Sequence, residues 1–398
     1  MELRGAHMNG STPRNDGNVR LRAYYLLVVS FTMSVIQAVT LPLIPYLAYR
    51  LGASQILIGT IGSIGALLYC IGTLISGLIS VITTPTIPFF LSLSSYSLAA
   101  LCYSFLVHSP VDILIVRIIE GIAWGFLWPP LEAILTEAFI SQSDVVPLFS
   151  FSWSSGMVLG SLLSGLSLSH DPILTFLPCS FTSVCCLLAG LPIFRAVKVK
   201  SLRNDRISLS FIIRSIKNNK VWLLASIYSF PLSIIFTFFP SHAILWGLAE
   251  IIIPLTLFGV MTSRSLTFLL IKRYLMDRRL RMSLGCILSG IGLLLFGTFH
   301  DLSVVLILCS ILIGSGAGLI YASTLHSALD TPFRLRSIYT ALFEFSIGLG
   351  YLIGPLIGGI IAEFNLAMTY ILASLVPLGM GLIFISLGRR NLLPRSSS

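Results

Sequence analysis

Residues 121–125 read Gly121-Ile-Ala-Trp-Gly125, and 193 positions later residues 314–318 read Gly314-Ser-Gly-Ala-Gly318. At the same offset Trp128 meets Tyr321, and Glu137 meets Asp330. Further out, Gly156, Gly160, Ser164 and Gly165 meet Gly350, Gly354, Gly358 and Gly359 at an offset of 194. Pro42 and Pro240 stand 198 apart. Self-similarity at a nearly fixed offset of 193–198 in a chain of 398 residues marks two copies of one unit. Small residues four apart line one helix face and let a neighbouring backbone come close. Packing inside a copy explains that spacing; an interface between the copies that opens and closes explains it as well.

The surroundings of these motifs are apolar. Hydrophobic residues make up 56% of the chain and charged residues only 10%, against about 25% charged in soluble domains. A soluble fold of this size cannot hide so much apolar surface, so lipid is the solvent that fits. A span needs about 20 apolar residues. Twelve such runs are found, at 22–48, 55–80, 86–107, 111–136, 146–168, 172–194, 221–244, 248–271, 282–299, 303–327, 338–362 and 366–388. With twelve spans and both termini on the cytoplasmic side, Lys and Arg belong in the two tails and the cytoplasmic loops. Of the 25 basic residues all but Arg50, Arg117 and Arg264 fall there. The net charge of +10 therefore reads as membrane topology and not as a nucleic-acid surface.

The expected organisation is a cytoplasmic tail over 1–21, six spans over 22–194, a basic linker over 195–220, six spans over 221–388 and a tail over 389–398. The linker mixes Ile207, Leu209, Phe211, Ile212 and Ile216 with basic residues, the pattern of an amphipathic helix lying on an anionic leaflet. The first apolar run is too long for a cleavable signal, so none is expected. The seven Cys lie in apolar runs without C-x-x-C spacing and read as small core residues. His108, His170, His242 and His300 are assigned to four separate outer loops, which is no metal-ligand spacing.

Three features resemble the major facilitator superfamily over about residues 22–390. Arg117-Ile-Ile-Glu-Gly121-Ile-Ala-Trp-Gly125 is similar to the family's R-x-x-x-G-x-x-x-G motif. Gly350-Tyr-Leu-Ile-Gly354-Pro355-Leu-Ile-Gly358-Gly359 is similar to its Gly-Pro-Gly-Gly run. A basic linker joining six and six spans is the third. The resemblance implies an all-α fold of twelve transmembrane helices in two pseudo-symmetric six-helix bundles. It also implies a coupling role for Arg117 and a cavity bordered by spans 1, 4, 7 and 10. The chain departs from the family in two places. The loop between spans 2 and 3, Ser80-Val-Ile-Thr-Thr-Pro85, lacks the usual basic cluster, and span 5 has Gly160-Ser161 where antiporters have Gly-Pro.

Charge inside a membrane is costly and is a functional hypothesis by default. Arg117 and Glu120 are i and i+3 and share a helix face. They form either a structural pair or a substrate-binding and proton-coupling one, with Glu120 as the proton carrier. Arg264 and Glu344 each lie eight residues from a cytoplasmic charge, so matched depth suggests a salt bridge between them. Glu132 either joins the coupling set or snorkels to the inner interface. Glu137 and Asp330, at inner helix ends, are gate candidates. Gln37, Trp124, Trp128, Tyr228 and Tyr321 are cavity candidates.

The reading that follows is a secondary transporter in the cell membrane, moving a small solute by alternating access with coupling to protons. An uncoupled facilitator and a non-transporting receptor are the alternatives. No P-loop, nucleophile elbow or metal-binding spacing is found, so no enzyme activity, cofactor or metal is expected. The expected partners are solute, protons and lipid, and the expected state is a monomer.

Overall fold

A computed structural model describes residues 16–138, 142–168, 170–195, 224–271, 277–329 and 336–386. Twelve helices account for nearly all of them: α1 (Asp16–Arg50), α2 (Gln55–Ile82), α3 (Thr86–Phe105), α4 (Pro110–Ala138), α5 (Gln142–Leu168), α6 (Pro172–Arg195), α7 (Ala225–Leu245), α8 (Ile252–Ile271), α9 (Arg278–Thr298), α10 (Ser303–Leu329), α11 (Arg336–Phe364) and α12 (Leu366–Ser386). Each predicted span maps onto one helix. The helices overrun several spans because apolarity reports the thickness of lipid, not the length of helix. Thus α9 starts at Arg278, four residues before the predicted span, and takes Arg279 and Arg281 into its first turn. The proposed linker helix over 195–220 lies outside the described residues except for Arg195.

Nine helices are long and apolar enough to cross a bilayer by length and composition among the described residues. The remaining three are α4, which carries Arg117, Glu120 and Glu132; α5, which is rich in Ser; and α8, whose apolar run Ile252–Phe268 is shorter. These are helices that face other helices or a cavity, and polarity there does not meet lipid.

The repeat is visible in the packing. Within the first half α1 packs on α5, α2 on α4, and α3 on α4 and α6. In the second half α7 packs on α11, α8 on α10, and α9 on α10 and α12. Every partnership recurs six helices later. The turn that ends each half's first helix recurs as well. Gly52 (φ +86°) and Gly247 (φ +71°) occupy equivalent left-handed positions. Gly52 N–H donates to Tyr49 O and Ala53 N–H to Ala48 O; Gly247 N–H donates to Ile244 O and Leu248 N–H to Ala243 O. This is one Schellman cap written twice.

The glycine motifs act mostly inside each half. A Cβ on Gly156 or Gly160 would meet the α1 backbone at Phe31 or Val35, and one on Gly350 or Gly354 would meet Ser229 or Ser233 of α7. Gly121 and Gly125 lie on Gly65 and Gly72 of α2, and Gly358 lies on Phe238 of α7. For these residues the packing explanation of the spacing is the right one. Pro355 and Gly359, which meet Gly59, and Gly165, which meets Pro254, are the motif residues that reach across the halves.

Two expectations about single residues need correcting. His242 is not in a loop but in the last turn of α7, fully buried. Cys185 is exposed on α6, not in a core, although Cys70, Cys179, Cys286 and Cys309 are buried. A period of 3.6 puts some residues of any apolar run on the lipid side.

Candidate functional site

The halves meet chiefly through α2 against α11 and α5 against α8. Cross-half contacts begin at the end of the molecule that carries the Gly52 and Gly247 turns, here termed the far face. There Gln55 Oε1, which only accepts, receives a hydrogen bond from His242 Nε2–H at 3.1 Å, leaving Nδ1 to accept from Tyr370 OH at 3.0 Å. Ile56 N–H donates to Glu363 Oε2 at 3.3 Å. Gly59 lies directly on the backbone of Pro355 and Gly359. Deeper, Ser63 Oγ donates to Leu352 O at 2.9 Å and Cys70 Sγ approaches Phe345 O at 3.5 Å. The far face is therefore closed.

Behind this closure is a cavity of about 160 Å³. It gathers residues that are distant in sequence. Gln37 enters from α1, Tyr228 from α7, Tyr321 from α10 and Glu344 from α11. From α4 come Arg117, Glu120, Trp124, Trp128 and Glu132, and Arg264 comes from α8. Glu132 thus does not snorkel: it is buried and faces the cavity, because an α4 residue pointing inward meets this space before it meets the interface. The side chain of Glu137 and all of Asp330 lie outside the described residues. Tyr69, Trp153 and Tyr351 also line the cavity. Neither Tyr69 nor Tyr351 is marked in the sequence: Tyr69 lies on α2, which is not among the helices the resemblance places around the cavity, and Tyr351 lies between the motif glycines Gly350 and Gly354.

Three charge arrangements coexist. The first is closed. Arg117 Nη1 donates to Glu120 Oε2 at 2.8 Å, Tyr103 OH donates to the same oxygen at 2.7 Å, and Trp124 Nε1 donates to Oε1 at 3.1 Å. Arg117 Nε donates to Ile61 O at 3.3 Å. Both charges of this pair are compensated and hydrogen-bonded, the condition under which a buried pair is tolerated.

The second is a lone cation. Arg264, 1% exposed, donates from Nη1 to Tyr228 OH at 2.9 Å and lies over the Trp153 ring, 4.6 Å from its centroid. Its Nε and Nη2 have no hydrogen-bond partner among the described residues. The salt bridge to Glu344 expected from matched depth is absent from the ion pairs among the described residues. Depth is one coordinate of three, and the azimuth of each helix turns Arg264 toward Tyr228 and Glu344 toward Tyr69.

The third is a pair of carboxylates. Glu344 Oε2 accepts from Tyr69 OH, a bond that joins α11 to α2 across the halves. Glu132 lines the same cavity, and its Oε2 has no partner among the described residues.

Gly65 supplies a test of the first arrangement. A Cβ there would fall on the Arg117 guanidinium, a side-chain end that can move. Gly65→Ala is expected to cost about 1–3 kcal/mol, the usual range for overpacking. Arg117→Lys removes the planar group that would collide. In thermal denaturation the double variant should therefore lose less than the sum of the single losses. Strict additivity would mean that Gly65 does not seat Arg117.

Two bundles of six helices enclosing a cavity between them define a membrane-transporter architecture. The comparisons agree. The family model described as Major Facilitator Superfamily matches residues 26–331, and the chain belongs to that superfamily. Among solved structures it is similar to a point variant of nucleoside transporter NupG, at TM-score 0.74 and 14% identity, covering 92% of this chain and 100% of that one. An auto-inhibited POT family peptide transporter is similar at TM-score 0.73 and 13% identity, covering 96% of this chain and 99% of that one. At such identities the likeness shows the fold alone. No curated protein sequence matches the chain. The chain is thus a multi-pass membrane transporter by family, not an enzyme.

Proposed function

We propose that the protein is a proton-coupled secondary transporter. The halves 22–194 and 221–388, joined by the basic linker 195–220, rock about the central cavity and expose it to each side of the membrane in turn. The basic residues support both termini on the cytoplasmic side, and the short loops of a compact chain support placement in a cell membrane.

One observation carries this reading. Two buried carboxylates, Glu132 and Glu344, share the cavity with no cation bonded to either among the described residues, and one of them is tied by Tyr69 to the opposite half. A proton that arrives on or leaves such a pair changes the buried charge where the halves are held together. Titration is thereby linked to the equilibrium between the two open forms, which is what coupling requires. Glu120, the carrier favoured by the sequence, is less suited. Three donors, Arg117 among them, already occupy its two oxygens, and it serves better as the fixed floor of the site. That same closed pair is what favours the second reading, an uncoupled facilitator whose charges are structural.

The test is solute-induced proton flux. Purified protein is reconstituted in liposomes with a trapped pH dye, and solutes are added under an imposed pH gradient. Proton movement that begins only with solute, and accumulation of solute above its equilibrium level, are expected. Solute entry with no proton movement would replace coupling by facilitated diffusion.

A further inference from the structure

Arg264 points beyond coupling, to the chemistry of the cargo. Its side chain is buried to 1% exposure and faces the cavity. Tyr228 takes only Nη1. The two nitrogens left without partners, Nε and Nη2, are the pair whose N–H bonds run parallel along one edge of a guanidinium. That edge matches the two oxygens of a planar carboxylate, and its bidentate bonds are among the strongest a protein makes. Beside it Trp153 lines the same cavity, and its Nε1 is another buried donor without a partner among the described residues. Three unsatisfied donors in one corner require an acceptor, since a buried donor left unpaired is costly.

The remaining walls fix the rest of the ligand. The Tyr321 ring packs on Trp153 and Tyr228 with centroids 5.5 and 5.0 Å away, and Trp128 and Phe149 face the same space. A cavity of about 160 Å³ is close to the roughly 150 Å³ that holds a benzene ring. Aromatic walls around a ring-sized space favour a flat apolar body.

The geometry points to a small carboxylate as the substrate class: one carboxylate group on a ring-sized apolar body, docked edge-on to Nε and Nη2 of Arg264. The assignment rests on the transporter reading for its role and on Arg264 for its chemistry. A plain monoanion and an amino-acid-like zwitterion share this carboxylate. They differ in whether an ammonium group also meets Glu132 and Glu344.

The experiment measures binding to purified wild-type protein in nanodiscs by calorimetry. The probes are benzoate, phenylalanine, and the uncharged near-isosteres benzamide and benzyl alcohol. At least one carboxylate should bind, on the order of 100-fold more tightly than benzamide, the scale of truncating a buried charged contact. Arg264→Gln should erase that preference. Arg264→Lys keeps the charge but not the two-pronged edge, so it should weaken the carboxylate at least about tenfold; it also guards against a Gln variant that fails to fold. Preference for benzoate supports a monoanion, and preference for phenylalanine supports a zwitterion. Benzamide binding as tightly as the better carboxylate, undiminished binding of that carboxylate in Arg264→Lys, or no binding of either carboxylate would overturn the assignment. The transport assay separates the two proposals. Proton flux driven only by neutral solutes keeps coupling and removes the carboxylate; Arg264-dependent binding of a carboxylate without proton flux does the reverse.

Discussion

Glu344→Gln protein should fail to accumulate solute against its gradient, with proton-linked uptake reduced on the order of 100-fold, while still exchanging solute for solute across the membrane. The reasoning is local. Gln has the shape of Glu and offers an oxygen to Tyr69 OH, so the bond from α11 to α2 survives. What is lost is the proton. Exchange at equal proton gradient needs no net titration and so should persist. Glu132→Gln removes the other member of the pair and should show the same split between accumulation and exchange. Glu120→Gln should behave differently. It leaves Arg117 as a buried cation whose carboxylate is gone, and breaking a buried pair from one side costs about 3–5 kcal/mol because Arg117 is enclosed beside Ile61 and Gly65. Lower thermal stability, with coupling retained in whatever protein folds, is the expected phenotype. Wild-type accumulation in Glu344→Gln vesicles would remove Glu344 from the coupling step, and loss of coupling without loss of stability in Glu120→Gln would reinstate the carrier that the sequence favoured.

The contrast between Glu120 and Glu344 shows where sequence reading succeeds and where it stops. Three kinds of periodicity carried the architecture: apolar runs long enough for lipid, basic residues confined to alternate loops, and an offset repeat of small residues. Each is one-dimensional; the first survives in the structure as helices and the third as packed faces, while most of the basic loops and tails lie outside the described residues. The i, i+3 pair Arg117–Glu120 was legible for the same reason, since both residues sit on one helix. Contacts between helices were not legible. Arg264 and Glu344 match in depth, yet they turn to different partners, because depth along two helices leaves their rotation free. Tyr69 carried no mark at all: it is an aromatic residue in an apolar helix until α11 is laid against it. The Gly52 and Gly247 turns did lie in the sequence, 195 apart and within the spread of the repeat, but a single glycine after an apolar run is too common a signal to stand out.

Gly59→Val should hold the far face open and reduce transport on the order of 100-fold without unfolding either half. Gly59 meets backbone, not movable side-chain ends: a Cβ there lands on Pro355 O and comes within 3.0 Å of Gly359 Cα. Neither α2 nor α11 can yield locally, because Gly350 and Gly354 already press α11 against α7, and Gly65 and Gly72 press α2 against α4. The strain is relieved only by separating the halves at this face, where hydrogen bonds from His242 to Gln55 and from Ile56 to Glu363 are few enough to give way. Under the proposed alternating access that separation is the opening stroke, so the substitution would bias the proposed equilibrium and leave the fold intact. Gly156→Val is the matched control. Its collision with Phe31 O and Ser34 of α1 lies inside one half, and no rigid movement of the halves relieves it, so folded protein should be lost instead. The readout is an introduced cysteine, Thr237→Cys, on the cavity wall beside Gly62. A membrane-impermeant maleimide added from the far side should label it strongly in Gly59→Val and weakly in the Thr237→Cys parent. Unchanged labelling with unchanged transport would mean that the α2–α11 contact at Gly59 does not close the path, and the closure would then have to be sought at α5 against α8, where Gly165 meets Pro254.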